Sequence, residues 1–341
     1  MPDAKNAGHP PDRPAWFRDL AQYERPDTRV ALRQMLLTVI PMLGLLALML
    51  YTVLHGFPYW STLLLVLPTT ALLIRSFIFL HDASHGSYFP SPRANAVLGF
   101  LVGVLILTPY HEWRWAHLYH HATFANLDRR GVGDIKLITV AEYQAAPWPR
   151  RLSYWIYRHP LVLFTVGPTI LFAVIQRLPI RSAPASEHPA VWLSNAAMLA
   201  MVTGADLTVG LRAFLLVMAP IWVIAWTTGV WLFYVQHQFQ GVYWARQEEW
   251  DFLRAALEGS SHYKLPRLLQ WCTGNIGLHH LHHMRPRIPN YRLQEAYDAT
   301  PAIHVPPVTL RTSLDALWSN LYDEEAHRMV SFHEAARARG Q

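Results

Sequence analysis

Three short stretches of this 341-residue chain concentrate side chains that bind metals: His81-Asp82-Ala83-Ser84-His85, His117-Leu118-Tyr119-His120-His121 and His279-His280-Leu281-His282-His283. Each holds imidazoles four residues apart, and the second and third share the pattern HxxHH. On a helix, positions i, i+3 and i+4 share a face, so each stretch is expected to aim its rings at one point. A further histidine, His237, stands alone between Gln236 and Gln238. The candidate ligands are therefore nine: His81, His85, His117, His120, His121, His237, His279, His282 and His283. A structural zinc takes four ligands, so this many nitrogen donors suggests two metal ions with room for a further reactant. Imidazole binds zinc, copper, iron and nickel, and ligand type alone does not choose among them.

Other polar residues near these stretches have supporting roles. His280 is rotated about 100° from His279 on an ideal helix, which predicts packing or support rather than ligation. Asp82, Asp134 and Asn275 are placed to orient ligand rings through the other ring nitrogen, with helix capping or a loop hydrogen bond as the competing reading. His111 is a weak candidate, and His55, His159 and His188 read as polar residues at helix ends. Trp113 and Trp115 read as anchors at a membrane surface. Cys272 is the only cysteine, which excludes an internal disulfide, a cysteine-ligated zinc and an iron–sulfur cluster.

The elements that must position these residues are apolar. Hydrophobic residues make up 52% of the chain and charged residues 15%, against about 25% charged in ordinary soluble domains. Mean hydropathy is +0.11. A bilayer core of about 30 Å needs roughly 20 helical residues, and four segments are predicted to cross: 31–54, 59–80, 160–176 and 211–236. Segments 94–110 and 191–204 are read as re-entrant, interfacial or buried. Residues 1–30 and 311–341 are read as tails flanking a membrane domain over 31–310, without a secretory signal. Placing 1–30, 81–158 and 237–341 on one side puts 24 of the 29 Lys and Arg there. The positive-inside rule makes that side the cytoplasm. The net charge of +6 is then a matter of topology, and no nucleic-acid partner is expected. The fold class is an all-α integral membrane protein with about four transmembrane helices and a cytoplasmic helical cap.

Four stretches extend beyond the bare histidines: HDASHGSYF (81–89), HLYHHATFANLDRRGVGDI (117–135), FYVQHQFQGVYW (233–244) and GSSHYKLPRLLQWCTGNIGLHHLHHMRPRIPNYRL (259–293). Over roughly 60–310 the chain resembles the membrane fatty acid desaturases with three histidine boxes. The likeness is to the bacterial and cyanobacterial acyl-lipid delta-12 (omega-6) type. The first box in that family is more usually HDCGH-like; Ala83 and Ser84 stand there instead, and neither is a ligand position. The resemblance implies a di-iron centre held by the nine histidines, an inner-membrane location with the site facing the cytoplasm, and O2-dependent desaturation of a lipid-linked fatty acyl chain. Removing hydrogen from unactivated methylenes exceeds what any side chain can do, so a cofactor must do it. With no cluster site, no glycine-rich dinucleotide fingerprint and no HPGG haem motif, electrons are expected from a separate ferredoxin or cytochrome. Arg285, Arg287 and Arg292 are either a face for that acidic donor or a lipid-headgroup face. One rival shares the ligand set, a di-iron hydroxylase acting on a lipid, alkane or carotenoid; a rival of another class is a metal transporter. Transport predicts an ion site near the middle of the spans.

Overall fold

The computed structural model describes residues 13–337. In chain order, α1 (Thr28–Leu54) and α2 (Tyr59–Ser84) form a hairpin, followed by the short helices α3 (Pro92–Leu105), α4 (Tyr110–Thr123) and α5 (Trp148–Arg158). A second hairpin pairs α6 (His188–Val209) with α7 (Leu211–His237), and the cap ends with α8 (His279–Met284) and α9 (Asn290–Asp298). The helices α1, α2, α6 and α7 are long and apolar enough to cross a membrane. Their outward faces carry leucine and isoleucine, such as Leu36, Leu37, Ile40 and Leu64, all more than half exposed. An apolar exterior of this kind suits lipid rather than water.

Both hairpins close tightly. Asp27 starts α1 by accepting the Arg29 and Val30 amides at 2.8 and 3.2 Å, which satisfies two orphan donors of the first turn. Four residues, His55–Pro58, join α1 to α2. Gly210 alone joins α6 to α7, at φ +82°, a conformation that costs glycine nothing.

The second hairpin departs from expectation. Segment 191–204 lies within α6, whose 22 residues span about 33 Å. The segment alone is too short to cross, but the helix runs on past Gly204 through polar residues that find partners: Thr208 donates to the Gly204 carbonyl at 2.8 Å and Asp206 accepts the Leu211 amide at 2.8 Å. Segment 160–176, expected to cross, is broken instead. A π-helical turn at Val162–Val166 precedes a short helix at Gly167–Ala173, and the segment 162–177 bends 69° from α5. Pro160 and Pro168 interrupt the run, and Arg177 ends it. With these spans the far-side links contain no Lys or Arg, and 25 of the 29 lie in the segments on the histidine side.

Segment 94–110 bends sharply. The α3 and α4 axes differ by 105°, with Leu107 at φ 60° in the turn. Gly99 permits the turn, because a Cβ there would sit 2.2 Å from the Tyr110 ring. The freed carbonyls at the end of α3 find donors on α7. Trp222 Nε1 donates to the Leu105 carbonyl at 2.8 Å and Trp226 Nε1 to the Ile106 carbonyl at 3.1 Å, which a nonaqueous setting demands.

Neither expected tail is a tail where the structure describes it. Phe17 and Leu20 are buried in the cap core with Leu281, Met284 and Leu293. At the other end Leu321–Asp323 pairs antiparallel with Arg328–Val330, and Leu321, Tyr322, Met329 and Val330 are buried. Successive strand residues point to opposite faces, so Tyr322 and Met329 enter the cap core while Leu321 and Val330 pack against Tyr154 and Ala335. Residues 1–12 and 338–341 of those expected tails lie outside the described residues.

Candidate metal centre

All nine predicted histidines come together, in two groups. His81, His85, His117, His121 and His282 form one; His120, His237, His279 and His283 form the other. Within each group the potential ligand nitrogens lie within 4.8 Å of one another. The expectation that each stretch aims at a single point is therefore corrected. Pairs at i and i+4 stay together (81/85, 117/121, 279/283), while the i+3 residues His120 and His282 cross to the other group. Helix geometry gives the reason. Position i+4 lies about 40° round from i, whereas i+3 and i+4 differ by about 100°. An HxxHH helix therefore straddles two centres.

The same arithmetic explains the lone histidine. Without His237 the second group has three rings; the last residue of α7 makes it four. Its Nε2 lies 2.9 Å from that of His279 and 3.2 Å from those of His283 and His120. His283 Nε2 lies 3.0 Å from that of His279 and 3.3 Å from that of His120. A regular tetrahedron with edges near 3.1 Å has a centre about 1.9 Å from each corner, close to the metal–nitrogen bond of about 2.0–2.1 Å. Four imidazole nitrogens gathered this closely fit one cation. In the first group, His85 and His117 Nε2 approach to 2.9 Å and His282 and His121 Nε2 to 3.1 Å. His81 Nε2 is buried without a hydrogen-bond partner.

Neighbouring residues set ring orientation and charge. The His120 Nδ1 donates to Asp134 Oδ1 at 2.5 Å, leaving Nε2 as the free lone pair. The His81 Nδ1 faces Asp82 Oδ1 at 3.3 Å, and His237 Nδ1 faces the Gly259 carbonyl at 3.3 Å. Burial, reinforced by neighbouring imidazoles, holds His117, His121, His279, His282 and His283 well below the ordinary histidine range. Those rings are neutral near pH 7, the form that ligates metal.

Asn275 does not touch any ligand ring, contrary to expectation. Its Nδ2 donates to the Asn290 carbonyl at 3.1 Å. Asn290, which no sequence signal singled out, is the residue that grips Asp82: its backbone N–H and Nδ2 both donate to Asp82 Oδ2 at 2.7 Å. Gln34 of α1 holds Asn290 in turn, at 2.7 Å. Trp113 is also more than a surface anchor, since it stacks on His117 with centroids 4.6 Å apart. Arg285, read as part of a donor face, is spent internally on Glu24 at 3.1 Å and on the Phe17 carbonyl.

His280 lies outside both groups. Its ring sits 5.7 Å from those of His262 and Tyr297, and burial pushes its pKa down to about 3. His280→Ala is therefore expected to keep its full metal content and lose less than about ten-fold in activity, below the range for residues that hydrogen-bond a ligand. Metal analysis beside product analysis checks this; metal loss matching that of His279→Ala would reverse the assignment.

The approach to α8 depends on Gly277. Tyr263 N donates to the Gly277 carbonyl at 2.7 Å, and a Cβ on Gly277 would lie 2.2 Å from the Tyr263 carbonyl oxygen. Gly277→Ala is expected to cost about 1–3 kcal/mol and to lower metal content, because His279 follows two residues later. A thermal melt of the metal-loaded protein reads the first effect; an unshifted melt would show that the segment gives way freely.

Membrane-length hairpins with paired, all-imidazole groups at one end define a class: helical membrane proteins that hold metal at the bilayer surface. The placement at helix ends removes the transporter reading. A family model described as fatty acid desaturase matches residues 56–306, and the chain belongs to that family. It is an enzyme of fatty acid desaturation, acting on a fatty acyl substrate with O2. It is 44% identical over 316 residues to a fatty acid desaturase of Bacillus subtilis (strain 168), covering 92% of this chain and 89% of that one. It is 28% identical over 245 residues to a chloroplastic sn-2 acyl-lipid omega-3 desaturase (ferredoxin) of Arabidopsis thaliana, covering 65% and 51%. A chloroplastic omega-3 fatty acid desaturase of Brassica napus is 28% identical over 247 residues, with 65% and 56% covered. The chain thus spans about half the length of these plant relatives.

Proposed function

We propose that the two histidine groups hold two iron ions and that the enzyme desaturates a lipid-linked acyl chain with electrons from a separate ferredoxin or cytochrome type donor. Bound iron would supply the activation of O2 that unactivated methylenes require. The five-histidine group would hold one ion and the four-histidine group the other. Asp134 and Asp82 orient His120 and His81, and Asn290, held by Gln34 and Asn275, keeps Asp82 in place. The rings of His120, His237, His279, His282 and His283 are buried, so bulk water is excluded from the chemistry. The ferredoxin named for the Arabidopsis relative supports the donor class. The likeness to the Bacillus subtilis desaturase supports a bacterial inner-membrane setting, and the concentration of Lys and Arg on the histidine side supports a site facing the cytoplasm.

The observation that carries this reading is the sorting of nine imidazoles into two groups of ligating geometry. The test is purification of the full chain from a host lacking such activity, with iron per chain and fatty-acid products measured together. Two irons and a located double bond are expected. An inserted hydroxyl group, or zinc with no iron, would overturn the proposal.

A further inference from the structure

Arg25, Arg29 and Arg292 line one open cleft of about 440 Å³, together with Pro26, Asp27 and Thr28. The cleft lies on the histidine side, at the start of α1. Among the described residues none of these three guanidinium groups is paired with a carboxylate, in contrast to Arg246, Arg254, Arg285 and Arg328. The one acid in the cleft, Asp27, has its Oδ1 engaged by the first turn of α1. Three cations beside one committed carboxylate leave an excess of positive charge, and guanidinium forks match phosphate oxygens.

The level of the cleft is set by its surroundings. Lipid-facing residues begin immediately after it, with Val30 at 41%, Leu32 at 45% and Leu36 at 56% exposure. A phosphate one turn before such a surface is at headgroup depth. The cleft is also tied to the metal centre. The Tyr291 hydroxyl lies 2.9 Å from the Asp27 amide and 3.3 Å from the Tyr88 carbonyl. Its neighbour Asn290 grips Asp82, so α9 carries both Arg292 and the bracket of His81.

We infer that this cleft binds the phosphate of a glycerophospholipid and is the headgroup subsite for the acyl-lipid substrate. The inference rests on the lipid-linked reading above and specifies its chemistry: a phosphate-bearing lipid rather than a neutral glycolipid.

The test uses the full-length, metal-loaded enzyme in detergent micelles, with spin-labelled phosphatidylglycerol and a phosphate-free diacyl galactolipid as probes. Each arginine near a membrane surface contributes roughly five-fold to anionic-lipid affinity. Arg25→Gln/Arg29→Gln/Arg292→Gln is expected to weaken phosphatidylglycerol binding by more than about twenty-fold and leave galactolipid binding unchanged. In turnover of acyl-phosphatidylglycerol, KM rises while kcat stays within about two-fold, since no arginine touches a ligand. The single variant Arg29→Gln shows a smaller shift in the same direction, and unchanged metal content excludes misfolding.

Inorganic phosphate at the same concentration is expected not to displace the lipid; equal displacement would assign the site to free phosphate and overturn the lipid. A raised KM for the reduced donor with lipid binding unchanged would overturn it in favour of a protein face. Lipid desaturation with unchanged lipid affinity in the triple variant sinks the cleft alone. Desaturation only on a water-soluble acyl carrier sinks the lipid-linked reading and the substrate role together.

Discussion

His237→Ala is expected to release one of two metal ions and to abolish double-bond formation. The four-histidine group has no spare ligand: removal of His237 leaves His120, His279 and His283. His283 keeps its nitrogen 3.3 Å from that of His120 and 3.0 Å from that of His279, but one corner of the four is open. The fall in activity is on the order of a hundred-fold or more, because the reacting geometry tolerates little displacement. His85→Ala is the informative contrast. Its group keeps four of five rings, so metal retention is expected to exceed that of His237→Ala even where activity is lost. Metal per chain, measured beside the fatty-acid profile, decides. Two metals in His237→Ala would place the ring outside the centre.

The second large effect is at Asp134. Its carboxylate joins His120 Nδ1 at 2.5 Å and receives the Gly131 amide at 3.1 Å on the other oxygen. Gly133, at φ +73°, approaches the Ala116 carbonyl so closely that a Cβ would lie 2.6 Å away. The loop that presents Asp134 is therefore fitted to the back of α4. Asp134→Ala is expected to cost about ten- to hundred-fold in metal affinity or activity, with Asp134→Asn intermediate because it keeps the shape but not the charge. Titration with ferrous iron, followed by turnover, would show it. Wild-type affinity in Asp134→Ala would mean that His120 is oriented by packing on Phe233 and Phe124 alone.

The gathering of the nine histidines was legible in the sequence because histidine spacing is local and helix geometry is nearly invariant. Their division between two centres was not read, since treating i, i+3 and i+4 as one face hides the 100° between the last two. His237 was found by its level at the end of an apolar run. Asn290 was hidden because its role depends on a partner 208 residues away, and nothing local marks it. The second hairpin was misplaced because a fixed length of apolar sequence was demanded. Asp206 and Thr208, each hydrogen-bonded within the helix end or its link, let α6 continue where a simple count stops. The terminal segments looked like tails because their apolar positions are few; packing on the cap core gives Phe17 and Tyr322 their meaning.

The two tight hairpin links bear on how this chain is made. His55–Pro58 and Gly210 are all that need pass to the far face of the bilayer, and neither carries a formal side-chain cation or anion. Each hairpin can enter as a unit during synthesis without hauling a hydrophilic domain across. The first delivers His81 and His85; α4 then adds His117, His120 and His121, which can gather an incomplete set. The second hairpin ends on His237, and the third histidine stretch emerges some forty residues later. Neither group is complete until that stretch has been synthesised, because it supplies His282 to one and His279 and His283 to the other.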